Sequence, residues 1–182
     1  MSRHLFYVLG AGQPLASDTA LPPGYRVETW LPSRDGVPGD PLPYRPFAIW
    51  WLFDRLGVFA NRQAGVAMIF HGSRLVHRSL VTPRWYRFPD MGPHDLQIGD
   101  TWTDEEHRGR GLAKAAIGAI HQLWSGQYET MWYLVGNDND ASVRVIEACG
   151  YRLLGTGERT RPLGITALGQ FVIRDGGADA SG

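Results

Sequence analysis

Cysteine is nearly missing from this chain: Cys149 stands alone among 182 residues. No intrachain disulfide can form, so the fold must rest on its own core, and a reducing compartment suits it. Excess charge of either sign is missing too. Eighteen lysines and arginines are balanced by eighteen aspartates and glutamates. That removes the broad positive field expected of a nucleic-acid reader or of a protein held on an anionic membrane. No apolar run approaches the roughly 20 residues of a membrane span. Ser2-Arg3-His4 precedes only a few apolar residues, too few for a secretory signal. The six histidines lack ligand spacing, so no metal is expected. These absences lead us to expect a cytoplasmic protein with neither nucleic acid nor membrane as partner. Cys149, set in an apolar helix face, reads as a buried thiol rather than a nucleophile.

The length suits one domain with a sizeable core, taken as residues 1–175, with 176–182 as a small, polar, fraying tail. Tyr25–Leu31 alternates like a half-buried strand. Pro32–Pro46 is rich in proline and glycine and reads as loop, and Phe47–Leu56 as a short buried helix. Gly65–Phe70 and Arg74–Val81, joined through Gly72, form a β-hairpin. Thr82–Pro93 holds three prolines beside Trp85, Tyr86 and Phe88. So greasy a loop serves either as a substrate pocket or as a lid over the core. Further strands are expected at Asp95–Thr103, Met131–Val135, Tyr151–Leu154 and Gln170–Arg174, and helices at Leu112–Trp124 and after Asn139. Strands alternating with helices in the second half give a mixed α/β sheet.

The most informative segment is Arg108-Gly-Arg-Gly-Leu-Ala113, between a strand and a helix. Two glycines there leave backbone N–H groups exposed at the positive end of the helix dipole, which suits a diphosphate. The lysine and hydroxyl of a nucleotide P-loop are replaced by Leu112 and Ala113. No third glycine completes a dinucleotide fingerprint. An RNA-binding arginine-glycine element is also excluded, since such elements are long, repetitive and disordered.

A second signal lies downstream: Asn139-Asp-Ala-Ser142 opens a helical run that closes at Gly150-Tyr151. Arg-x-x-Gly-x-Ala, a helix, a strand, Asn-x-x-Ser, a helix and Gly-Tyr together resemble the GCN5-related N-acetyltransferase superfamily. The resemblance covers roughly Asp95 to Gly155. It implies a mixed, mostly antiparallel central sheet flanked by helices, and acetyl-CoA as co-substrate. By that likeness Thr103, flanked by Trp102 and Asp104, would hold pantetheine and polarise the thioester through its backbone. Backbone groups of Arg108, Gly109, Arg110, Gly111, Leu112 and Ala113 would wrap the diphosphate, and Asn139 and Ser142 would lie near pantetheine. Asn139 also reads as a plain helix N-cap.

Two positions depart from the family pattern. Where many relatives carry a tyrosine that protonates the leaving thiolate, this chain has Ile146; Tyr151 occupies a packing position. Where some relatives hold a basic glutamate, the match is Gln97, which cannot take a proton. Asp95, two residues earlier, and His77, on the preceding strand, are the other bases considered. The expected reaction is acetyl transfer to a primary amine of a small molecule, with a faint likeness to enzymes acting on amino sugars or sugar nucleotides. A non-catalytic acyl-CoA sensor or scaffold is the rival reading. The assembly state, a homodimer included, is left open.

Overall fold

The computed structural model describes residues 3–40, 42–165 and 168–176. In chain order its strands are β1 (Arg3–Gly10), β2 (Tyr25–Trp30), β3 (Gly65–His71), β4 (Arg74–Pro83), β5 (Leu96–Thr103), β6 (Thr130–Gly136), β7 (Arg152–Arg159) and β8 (Phe171–Gly176). The α-helices are α1 (Pro32–Asp35), α2 (Tyr44–Arg55), α3 (Leu112–Leu123) and α4 (Asp140–Ala148). All eight strands join in one sheet, ordered β2-β3-β4-β5-β6-β1-β7-β8. Neighbours run antiparallel except β5 and β6, which are parallel. The sheet is therefore mixed, mostly antiparallel and flanked by helices.

Both faces of the sheet are covered. On one, α3 and α4 bury Ile117, Ile120, Ile146 and Cys149 over Tyr7, Leu9, Val81 and Ile98, and Leu112 over Ile69 and Val76. On the other, Phe47 of α2 packs on Val66, Met68 and Leu80, and Phe6, Val8 and Trp132 meet a second aromatic cluster. Side chains from one strand alternate between these layers, so central strands are apolar on both sides.

That rule explains why β1 escapes a reading by alternation. Leu5-Phe-Tyr-Val-Leu9 is continuously apolar because β1 lies inside the sheet, between β6 and β7. Phe6 and Val8 face one layer, Tyr7 and Leu9 the other, all under 5% exposed. The proline-rich stretch 32–46 is not loop throughout, since α1 occupies Pro32–Asp35 and α2 begins at Tyr44. Pro46 falls in the first turn of α2, where no intrahelical N–H is needed. Nor is α2 buried all round: Ile49 and Leu52 are exposed. Trp85, Phe88 and Met91 are buried against Trp50, Phe53 and Phe59, so this part of the aromatic loop is a lid over the core. β8 ends at Gly176, one residue into the stretch read as tail, and the carboxylate of Asp175 just before it meets Arg3 at 2.9 Å. Residues 177–182 of that stretch lie outside the described residues.

Candidate active site

The parallel pair β5 and β6 is joined over only three residues, Leu96–Ile98 against Met131–Tyr133. Beyond them Gly99–Thr103 pairs with β4 and Leu134–Gly136 with β1, and the two strands part. A bulge drives the separation: Trp102 stands opposite Arg78 but Gly99 opposite Leu80, so β5 carries one residue more than β4 across this interval. Asp100, within the bulge, has φ 42°, and is the only non-glycine with positive φ among the described residues. Asp tolerates that left-handed conformation better than most residues. Two strand edges with unpaired backbone donors and acceptors are left facing each other, a place where an extended amide chain can bond as an added strand.

The mouth of this wedge is a cavity of about 620 Å³. Thr101, Trp102 and Thr103 line one wall, Tyr133, Asn139 and Ser142 the other, and the segment 108–114 closes the end. Gly109 and Gly111 take φ of 75° and 78°, and nothing lies within 4 Å of where a Cβ would stand on either. The glycines are thus required by the left-handed backbone, and the space beside them is open. Gly111 begins α3, whose first N–H groups lack intrahelical partners and point outward with the positive end of the dipole. An anionic diphosphate with an extended amide tail fits this donor set and shape.

The guanidinium groups contribute less than the backbone. Arg110 is turned back to the Tyr25 hydroxyl and the Glu106 carbonyl, at 3.4 and 3.2 Å, and does not line the cavity. Arg108 lines it, with an exposed ion pair to Glu105 at 3.4 Å. Lys114 adds a cation that the sequence reading did not single out. Asn139 caps α4, accepting from the Ser142 N–H at 3.1 Å, and both residues line the cavity. Nine of the ten residues read as cofactor-binding therefore share this one cavity, Arg110 being the exception.

The three residues considered as bases are not brought together. Asp95 precedes β5, and its carboxylate accepts from the N–H of Gly92 and Thr130 and from the Trp132 indole, at 2.7, 3.1 and 2.8 Å. That carboxylate is a clamp at the closed end of the wedge. Gln97 lies in the fully paired part of β5, between Thr82 and Trp132. His77 is wholly buried behind Thr103. Its Nδ1 lies 2.8 Å from the Thr103 hydroxyl and its Nε2 3.1 Å from that of Ser79. Burial, helped by the Arg78 charge, pulls its pKa down to about 4, so the ring is neutral near pH 7. His77 steadies Thr103 rather than facing the cavity.

The residue that the sequence reading missed is Tyr133. It sits where β5 and β6 part, and its phenol hydrogen-bonds with Thr101 and Ser142. Burial raises its pKa, against the lowering effect of those two bonds, and keeps the phenol protonated at neutral pH. Ser79 bonds Thr101 at 3.0 Å, so hydroxyls and imidazole form a chain from Thr103 through His77, Ser79 and Thr101 to Tyr133 and Ser142. A residue facing the cavity was hard to see in Met131-Trp-Tyr-Leu-Val135, which reads as uniform core. Cys149 is fully buried with its thiol pKa raised by burial, and takes no part in the site.

A second hollow of about 640 Å³ lies between α3, β2 and residues 18–21. Its carboxylates are already engaged, Asp18 with the Ala20 N–H and Glu28 with Arg26. No helix among the described residues is long and apolar enough to cross a membrane.

Comparison with known proteins places the family and the fold. The model of a family described as acetyltransferase (GNAT) matches residues 26–151. No curated protein matches the chain. Among solved structures, a tandem GNAT protein from the clavulanic acid biosynthesis pathway superposes with a TM-score of 0.58 at 16% identity, over 84% of this chain and 50% of that one. A putative GNAT acetyltransferase from Novosphingobium aromaticivorans gives 0.55 at 19% identity, over 85% and 61%. A GCN5-related N-acetyltransferase from Kribbella flavida gives 0.52 at 17%, over 86% and 56%. At such identities the likeness is one of fold, and the chain spans about half to three-fifths of the length of these proteins.

Proposed function

This chain belongs to the acetyltransferase (GNAT) family, and from that premise we propose that it moves an acetyl group from acetyl-CoA to a primary amine of a small molecule in the cytoplasm. The observation that carries the reading is the wedge between β5 and β6, closed by the glycine loop at the start of α3. Backbone groups of Gly109–Ala113 would hold the diphosphate, and the free edge of Gly99–Thr103 would hold pantetheine as an added strand. Trp102 and Thr103 on one side and Asn139 and Ser142 on the other complete the cofactor walls. Acetyl-CoA supplies an activated acyl carbon whose sulfur is the leaving group.

The chain's own residues then act by position and charge. A backbone N–H near Thr103 would donate to the developing oxyanion, with Thr103 kept in place by His77. As the amine nitrogen bonds to the acetyl carbon and the C–S bond breaks, Tyr133 gives its phenolic proton to the sulfur. The proton lost by the amine leaves to solvent, and the phenolate is refilled from solvent through the hydroxyls of Thr101 or Ser142. No ionisable base is needed if the amine arrives neutral, which agrees with Gln97 at the position where a glutamate was sought. An amino sugar or sugar nucleotide is one acceptor within this reading.

The test is calorimetric titration of acetyl-CoA into the protein, with Gly111→Asp as control, followed by release of free thiol on adding amines. Asp is one of the few residues that visit the left-handed conformation held at Gly111, at a cost of about 1–2 kcal/mol; an unchanged circular-dichroism spectrum checks that the variant is folded, and its carboxylate repels the diphosphate. Binding to the native chain, lost in Gly111→Asp, is expected. Absence of binding to the native chain would overturn the cofactor assignment, and tight binding without turnover on any amine would leave the sensor reading in its place.

A further inference from the structure

On the face of the sheet covered by α2, Arg78 stands directly across β4 and β5 from Trp102. Its guanidinium carbon lies 5.5 Å from the centre of the Trp102 ring and 5.3 Å from that of Phe47. Two aromatic rings thus hold the planar cation, an arrangement guanidinium favours. The Arg78 side chain is only 18% exposed. A cation so far withdrawn from water ordinarily meets a carboxylate through two parallel hydrogen bonds. Arg78 has no such partner among the described residues. Asp100 approaches to 3.6 Å, beyond hydrogen-bond distance, and is itself 49% exposed. The Nε of Arg78 is buried with no hydrogen-bond partner among the described residues.

This underused donor fork lies beside the wedge. Trp102, over which the guanidinium sits, lines the cavity with Thr101 and Thr103. The bulge at Asp100 sets both features: it turns Trp102 toward Arg78 and keeps the Asp100 carboxylate near the cation without closing on it. An acceptor reaching the acetyl group from the α2 side would therefore pass Arg78.

We infer that Arg78 is the anion-recognising residue of the acceptor site, and that the natural acceptor is an amine that also carries a carboxylate or phosphate group. The inference rests on the acetyl-transfer reading above and names the class of its second substrate. The anion would bond the outer guanidinium nitrogens, displacing the loose contact with Asp100, while the amine points toward the thioester. Trp102 and Phe47 keep the guanidinium plane fixed, so little is lost in ordering it on binding.

The experiment measures thiol release from acetyl-CoA with matched acceptors: amino acids against their amides for the carboxylate, and glucosamine 6-phosphate against glucosamine for the phosphate. The charged member of one pair is expected to show a kcat/KM at least about tenfold higher, the effect of one charge-assisted hydrogen-bonded contact. Whichever pair shows it identifies the anion. Arg78→Met is expected to raise KM for the charged member by about 10- to 100-fold. KM for the neutral member and the calorimetric Kd for acetyl-CoA should stay unchanged. Arg78→Lys, which keeps the charge but loses the fork, should restore part of the preference and guards against misfolding of the Met variant. Preference for neutral members, or a charged preference that survives in Arg78→Met, would overturn the inference. If the native protein binds acetyl-CoA but acetylates no amine, the acetyl-transfer reading fails. The anion site is then judged by titrating the same pairs into the acetyl-CoA complex, where equal binding of both members overturns it.

Discussion

Lowering the pH from 7.5 to 5.5 is expected to cost the protein about 1 kcal/mol through His77 alone. The imidazole is wholly buried between Thr103 and Ser79, and its pKa falls from 6.5 to about 4, chiefly from loss of solvation with a lesser contribution from Arg78. Between those two values the unfolded chain binds more protons at this site than the native protein does. Stability is therefore complete above about pH 6.5, declines as pH falls, and has lost about 3 kcal/mol once the pH is below about 4. His121 is lowered to about 4 by burial as well and steepens the same decline, though it is less enclosed. Replacing His77 with glutamine isolates the effect, since the amide can still exchange hydrogen bonds with both hydroxyls but does not titrate. The assay is urea unfolding followed by tryptophan fluorescence, for both proteins, at the two pH values. The native protein should lose about 1 kcal/mol more than His77→Gln on acidification. Equal losses would refute the argument, because they would mean that His77 has the same proton affinity folded and unfolded.

Two further outcomes follow from the same packing. Gly157→Ala is expected to destabilise by about 2–3 kcal/mol, read as a lower urea midpoint at constant slope, because a Cβ there would strike the Val172 carbonyl and sit 2.7 Å from the Phe6 ring. Tyr133→Phe is expected to lower kcat for acetyl transfer by about 100-fold or more while calorimetry finds acetyl-CoA affinity within about twofold of native; an unchanged kcat would remove the phenol from proton transfer.

The cavity proposed for the cofactor was legible in the sequence because its geometry is local. A diphosphate cradle made of consecutive N–H groups needs glycines at fixed steps before a helix, and Gly109 and Gly111 stand at such steps with left-handed backbone. The Asn139 cap is equally local, a side chain bonding a backbone three residues on. The residues proposed for acceptor binding and proton transfer were not legible, because they are assembled across strands. Arg78 meets Trp102 only through the β4–β5 register, and that register depends on a bulge that no pattern in Leu96–Thr103 announces. His77 looked like a base because histidine titrates near neutrality, yet its two hydroxyl partners and its burial appear only in the fold. β1 was overlooked for a related reason: an apolar run without alternation carries no sign of being an inner strand until its two neighbours, β6 and β7, are known.

In the proposed reaction Tyr133 takes the part that Ile146 cannot, so one chemical demand is met from a different element. A proton donor to a leaving thiolate must be protonated at neutral pH, reach the sulfur and tolerate brief loss of its proton. Ile146 cannot serve: it is fully buried in α4, in the same apolar cluster as Tyr133 and Tyr151. Tyr133 approaches from the strand beneath. Burial keeps its phenol protonated, and Thr101 and Ser142 can each stabilise the phenolate by a hydrogen bond. Ser142 belongs to the first turn of α4, where the positive end of the helix dipole favours that negative charge. In the proposed reaction the helix would still contribute to proton transfer, through its N-terminal hydroxyl and dipole instead of a phenol of its own. The absence of tyrosine at 146 is therefore no argument for a chain that binds acetyl-CoA without turning it over, because the geometry that a donor needs is present one strand away.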